Sequence, residues 1–356
     1  MSSGSDSDVP SSGPSARAQA TERRPVVNLG GGSTHLAAAF RSMAIAATSP
    51  GVSTDHPDVH RALRTLGGPD VPGFLPAVRA ACVSGNMDKF AAVRTLIIFE
   101  KVGSDQRFGD GGNMLHAIAA DATHAVVPGV QVPVLERIAI LAALGANPNA
   151  TDQNGNTPML IAAKRNDGDV VGVVKALVAQ GADVNIAGEG ANMPIHYAAG
   201  KDNIPLVATL LENGARLEVV NQKCNSPMHL AATFSDNGRM IDFLVQAGHR
   251  IDIGDLHDNH PIHHAALNAV SFEPLRALLR HGANINQHNW NRLTPLHFHA
   301  SWATNADRVA ELQALGADFE ALTDEGGTVL HDAASGKADP QVIRALIACG
   351  ANPKAL

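Results

Sequence analysis

From about residue 113 onward, short apolar stretches alternate with polar, glycine-marked breaks, and the alternation keeps a fixed period. Most units open on a polar residue and a proline. The copies read Thr157-Pro158-Met159-Leu160, Met193-Pro194-Ile195-His196, Ser226-Pro227-Met228-His229, His260-Pro261-Ile262-His263, Thr294-Pro295-Leu296-His297 and Thr328-Val329-Leu330-His331. An earlier copy is Asn113-Met114-Leu115-His116. Thr, Ser or Asn before a helix accepts a bond from an orphan N–H. Proline at the first helical position loses nothing, because that N–H has no intrahelical partner. The next Leu, Ile or Met starts a buried stripe. An Ala-Ala pair then allows close approach of neighbouring helices (Ala162-Ala163, Ala198-Ala199, Ala231-Ala232, Ala265-Ala266, Ala333-Ala334). A second helix follows, as over 173–179 and 273–280.

Each second helix ends on glycine, with Gly145, Gly181, Gly214, Gly248, Gly282, Gly316 and Gly350 spaced 36, 33, 34, 34, 34 and 34 residues apart. Glycine tolerates the left-handed position past a helix C-terminus. Asn or Asp then turns the chain toward the next copy, as in Asp183-Val184-Asn185 and Asn284-Ile285-Asn286. Seven copies keep both landmarks in phase.

The pattern resembles the ankyrin repeat, whose unit is about 33 residues with a T-P-L-H-x-A signature. The resemblance covers about 108–356. It implies an all-α solenoid, each unit two antiparallel helices and a β-turn finger. Upstream the register weakens. Thr34-His35-Leu36-Ala37-Ala38, a helix over 58–67 and a pair over 75–103 read as two degenerate units. A terminal unit covers an open core face and so departs from consensus. The domains expected are a low-complexity disordered tail over 1–33, a degenerate helical cap over 34–107, and the repeat domain over 108–356. Two copies carry insertions. Pro128 and Pro133 make 126–133 a loop, and a smaller excess surrounds Asn166-Asp167-Gly168-Asp169.

Composition narrows the function. Apolar residues are 45% of the 356, aromatics 4% and charged residues 17%. The core is therefore built from Ala, Leu, Val and Ile. The net charge of −7 argues against a general nucleic-acid binder, which needs a basic face. Cys82, Cys224 and Cys349 are scattered and odd in number, so neither a disulfide framework nor a thiolate metal site is readable. Cys82 and Cys349 read as core filler, and Cys224 as an exposed finger residue. No apolar run reaches the roughly 18–20 residues of a membrane helix. The tail has no apolar core of a Sec signal.

Seventeen histidines invite a metal or general-base reading. Six of them, His116, His196, His229, His263, His297 and His331, share one repeat position. The resemblance implies that this imidazole ties the first helix to the turn. Of the rest, His257, His264 and His288 are placed to converge from adjacent copies. No Cys joins them, and no metal-ligand spacing appears. His299 replaces a small Ala. It is expected to push neighbouring copies apart and to find a polar partner. Gly30-Gly31-Gly32-Ser33-Thr34 lacks the lysine of a P-loop. No cofactor is expected, and the chain reads as a non-enzyme.

The resemblance further implies that partners meet the fingers and the open positions of the first helices. The helix positions are Lys164-Arg165, Gly200-Lys201, Thr233-Phe234, Leu267-Asn268, Ser301-Trp302 and Ser335-Gly336. The finger positions are Gln153-Asn154, Glu189-Gly190, Gln222-Lys223, Leu256-His257, Trp290-Asn291 and Asp324-Glu325. Both tryptophans of the chain fall among them. The expected binding residues are Trp290 and Trp302 as anchors, with Phe234, Leu256, His257, Leu267, Lys223 and Lys201 around them. Trp is over-represented at interface hot spots; the other reading is a Trp folded over its neighbour as surface packing. Tyr197 and Phe298 read as half-buried supports. Lys164, Arg165, Lys201 and Lys223 lie toward the N-terminal copies, and Asp324, Glu325 and Asp332 toward the C-terminal ones. That gradient would orient a partner, or is an ordinary solvated face.

The function read from this is binding of a protein partner by a cytoplasmic monomer, with no nucleic acid and no membrane span. Two other classes stand beside it. A leaderless Ser/Gly/Pro-rich N-terminus ahead of such an array suits a bacterial effector injected into a host cell. The histidine cluster suits an enzyme with a cryptic site.

Overall fold

A computed structural model describes residue 78 and residues 105–120, 133–165, 168–268, 271–302, 306–336 and 339–354. The tail expected over 1–33, nearly all of the cap expected over 34–107, Cys82 and most of the 126–133 loop lie outside them. Seven helix pairs follow one another. They are α1 (Met114–Ala120) with α2 (Val134–Ala143), α3 (Pro158–Lys164) with α4 (Val170–Ala179), and α5 (Pro194–Gly200) with α6 (Ile204–Glu212). Next come α7 (Pro227–Phe234) with α8 (Arg239–Gln246), and α9 (Pro261–Leu267) with α10 (Glu273–Arg280). The last are α11 (Pro295–Trp302) with α12 (Asp307–Ala314), and α13 (Val329–Ser335) with α14 (Pro340–Ala348). No β-strand occurs among the described residues.

The local signals act where the sequence puts them. Proline stands at the start of α3, α5, α7, α9 and α11. All seven glycines after the second helices have positive φ, from 86° to 104°. There the next N–H turns back to the helix, as Ala182 does to the Leu177 carbonyl at 3.0 Å.

First helices pack on first helices, α1 through α13 in sequence, and second helices form a layer behind them. The core lies between the layers. Met159, Met228, Leu296 and Val329 from the first helices meet Leu177, Leu210, Leu244, Leu278 and Leu346 from the second, all fully buried. The Ala pairs of α3, α5, α7 and α9 are buried too. Ala334 departs from that expectation: it is exposed, because no further copy follows it among the described residues.

Three hydrogen-bond systems stitch copy to copy. The first is the signature histidine. Its Nδ1 accepts the backbone N–H three residues earlier, from Asn113, Met193, Ser226, His260, Thr294 and Thr328 at 3.0–3.2 Å. The proton therefore sits on Nε2. In four of the six it is donated from there to the residue just before the next copy, with His116 reaching Asn156 O at 2.8 Å, His196 Asn225 O at 3.1 Å and His229 Asn259 O at 2.9 Å. His263 reaches Leu293 O at 3.1 Å. The imidazole thus plays the capping-box part usually taken by Glu or Gln, and spans to the neighbour as well. Burial is the main reason that His196, His263 and His297 are held at a pKa of about 4 and His229 at about 3.

The second system is a side-chain ladder. Asn149 Nδ2 donates to Gly181 O (2.9 Å), and its Oδ1 accepts from Asp183 N (2.7 Å). Asn185 and Asn286 repeat the arrangement. The third joins finger to finger through backbone bonds: Leu256 N–H to Lys223 O (3.2 Å), Trp290 N–H to His257 O (3.4 Å) and Asp324 N–H to Asn291 O (3.2 Å).

His299 is buried and has the polar partner expected, with Nδ1 3.2 Å from Ala266 O. Its ring lies edge-on to Phe272 at 5.6 Å, and the Arg308 guanidinium covers Phe272 at 4.6 Å.

Candidate binding face

From α3 onward, one stripe of each first helix escapes full burial. It comprises the residue after the signature position and those three and four further on, which share a helix face. The first of these, Ile161, Tyr197, Leu230, His264, Phe298 and Asp332, are all half-buried. They form the floor of an open face running across the copies. Tyr197 lies under the Lys164 ammonium, 5.2 Å from its ring centroid, and Phe298 packs 5.2 Å from His263. Both are therefore the supports expected.

Two exposed lanes border this floor. The helix-end lane carries Lys201, Phe234, Leu267 and Trp302. Phe234 is 64% exposed, Leu267 39% and Trp302 61%. Phe234 leans over the end of α5, where a side-chain carbon on Gly200 would meet its ring at 3.7 Å. The finger lane carries Lys223, Leu256, His257, Trp290, Asp324 and Glu325, all exposed. Trp290 is 68% exposed and Leu256 51%. The finger bonds set these tips side by side. A first helix of seven or eight residues separates the lanes by about 11 Å at 1.5 Å per residue. The lanes overlap at the copies of α7, α9 and α11, which hold seven of the eight expected residues, and Lys201 continues the helix-end lane at α5.

Some sequence readings need correction. Asn268, paired with Leu267 as an open position, is 2% exposed. Its amide donates to Ser235 O at 2.7 Å and Ala232 O at 3.2 Å, tying α9 to the end of α7. Cys224 is half-buried rather than exposed, and its backbone has φ +59° at the finger turn. Asp332 is half-buried, and burial raises its carboxyl above the ordinary range, with Glu325 adding to the rise and His331 opposing it.

The histidines do not converge as the cluster reading needs. His264 Nε2 is bound to Asp255 Oδ2 at 3.0 Å, with its Nδ1 3.2 Å from the Thr233 hydroxyl. Its ring meets His229 edge-on at 5.1 Å. His288 Nδ1 is bound to the Arg292 carbonyl at 3.0 Å. Among the described residues, no three His, Cys, Asp or Glu side chains are arranged to hold a metal.

The Asp255–His264 pair was not read from the sequence. Asp255 organises its finger by accepting from His257 N (2.8 Å) and Asn259 N (3.0 Å). Burial pushes its carboxyl up, but the His264 bond and these backbone bonds outweigh that and hold it below the ordinary range. The signal was present: Asp152, Asn221, Asp255 and Asn289 recur at one finger position and bond in the same way.

No helix among the described residues is long and apolar enough to cross a membrane. The family model described as Ankyrin repeats (3 copies) matches the chain over 130–221, 195–289 and 262–356. The chain is 30% identical over 197 residues to neurogenic locus notch homolog protein 1 of Xenopus tropicalis, covering 46% of this chain and 8% of that protein. It is 32% identical over 107 residues to the E3 ubiquitin-protein ligase KEG of Arabidopsis thaliana, covering 30% and 6%. The chain thus spans less than a tenth of either relative. The human ASB11 ankyrin repeat domain superposes with a TM-score of 0.53 at 25% identity, over 67% of this chain and 98% of that one.

Proposed function

This chain belongs to the ankyrin-repeat family, and from that premise we propose that it holds a protein partner against the face bordered by its two exposed lanes. Ankyrin repeats are protein-binding modules. The relatives carry different names and tasks, one a neurogenic locus protein and one a ubiquitin ligase. Each matches this chain over less than a tenth of its own length, so binding is the task the repeats support, and the partner follows from the side chains they display.

The observation that carries this reading is the exposure of Trp290 and Trp302 at 68% and 61% on backbone that is held in place. Trp290 sits in the finger ladder and Trp302 ends a packed helix. Exposed apolar patches mark interaction sites, and buried aromatic anchors dominate interface energy. Lys201, Lys223 and His257 form the polar rim.

The test is capture from cell extract, followed by calorimetric titration of the captured protein. Wild type is compared with Trp290→Ala/Trp302→Ala, both verified as folded by circular dichroism. Two anchors of about 2 kcal/mol each predict a loss near a thousandfold. Unchanged affinity in the double variant would show that the partner sits elsewhere.

A further inference from the structure

We propose that the partner presents an extended, charge-polarised peptide segment: carboxylates at one end, apolar or aromatic side chains in the middle, and basic side chains at the other. This rests on the binding reading above and names the chemistry of the occupant. The face is polarised along the repeat axis. Lys164, Arg165, Lys201 and Lys223 stand over the N-terminal copies; the fingers there also carry Asp110 and Glu189, both exposed, and Asp152, half-buried, so the positive end of the face centres on Lys201 and Lys223. Phe234, Leu256, Leu267, Trp290 and Trp302 hold the centre. Asp324 and Glu325 are exposed at the C-terminal fingers, with Asp332 on the floor beyond Phe298 and Arg292 on the preceding finger. Complementary charge sets orientation and encounter rate, while the central anchors set residence.

The spacing fixes the length. Lys223 and Asp324 lie three finger steps apart. At the 8–10 Å of packed helices, that is about 24–30 Å. An extended chain rises about 3.3 Å per residue, so roughly seven to nine residues separate the acidic and basic ends. The floor between the lanes is about 11 Å across, room for one segment and not two; a helical segment would need about 16–20 residues over the same span, so a charge spacing of seven to nine residues decides for the extended form.

The test is selection from a displayed library of random 16-residue peptides against the full chain. The expected result is enrichment of peptides with one acidic and one basic end, about seven to nine residues apart, around an apolar centre. Selection against Lys201→Glu/Lys223→Glu should return peptides basic at both ends. A selected peptide lacking Trp should shift the emission of the chain's two tryptophans and bind about tenfold more weakly as salt rises from 50 to 500 mM. Peptides that enrich and are lost with Trp290→Ala/Trp302→Ala, yet show no charge order, would overturn the polarity while leaving the binding face intact. No enrichment against wild type would overturn the peptide segment as occupant. Self-association of the chain that dissolves in the double Trp variant would assign the face to a second copy instead.

Discussion

At the residue scale, the signature histidine does two jobs with one ring. Nδ1 caps its own helix and Nε2–H reaches the next copy. The bond that Nδ1 accepts requires the neutral ring, and burial keeps it neutral. The pKa values of His196, His229, His263 and His297 are lowered from 6.5 to between about 3 and 4. The unfolded chain therefore binds more protons below pH 6.5. Stability is full above that pH and falls as pH drops toward 4. At pH 5 each such ring should cost on the order of 1–2 kcal/mol, so the urea midpoint should fall steeply between pH 7 and pH 5. A flat midpoint over that range would mean the rings are not buried as described. His229→Ala removes both bonds and strands the Asn259 carbonyl. Unfolding titrations should show about 2–3 kcal/mol of lost stability. His229→Gln, which can still cap, should recover part of it.

At the element scale, two glycines that look alike in the sequence behave differently. Gly200 ends α5, and an added methyl would make ordinary contacts with Leu230 at 3.4 Å and Phe234 at 3.7 Å. Gly238 precedes α8, and the same methyl would lie 2.6 Å from Ala277 Cβ and 3.1 Å from the Glu273 carbonyl on α10. Gly200→Ala should therefore raise stability by about 0.5–1 kcal/mol. Gly238→Ala should lower it by about 1–3 kcal/mol by forcing α8 from α10. Paired thermal melts decide between them. Equal shifts would mean that contact between α8 and α10 does not set the spacing of the second-helix layer.

At the scale of the whole molecule, stability in such an array is close to a sum of copies and nearest-neighbour contacts. The junction between α3 and α5 differs from those on either side. Leu160 stands where the other copies carry histidine, so no imidazole bridge joins the copy of α3 to that of α5. Hydrogen exchange should show α1 and α3 losing protection before α5 to α11, with the step at that junction. Uniform protection across 158–200 would mean the asparagine ladder alone is enough. The amino-acid order by itself determined the helix pairs, their caps and their seven-fold stacking. Those rest on local signals that act within one copy, the glycine past the helix end written seven times and the proline and the alanine pair five times each. It also placed Trp290, Trp302, Phe234, Leu256 and Leu267 at positions the framework leaves open. Only the tertiary structure decided that Asn268 is a buried tie, that Asp255 holds His264, that Cys224 is half-covered at a positive-φ turn, and that Gly238 marks a helix contact. Each depends on which atoms meet across some thirty residues, where a neighbouring copy supplies the carbonyl, the carboxylate or the methyl. Periodicity shows that a position faces its neighbour; the contact made there belongs to the two side chains that meet.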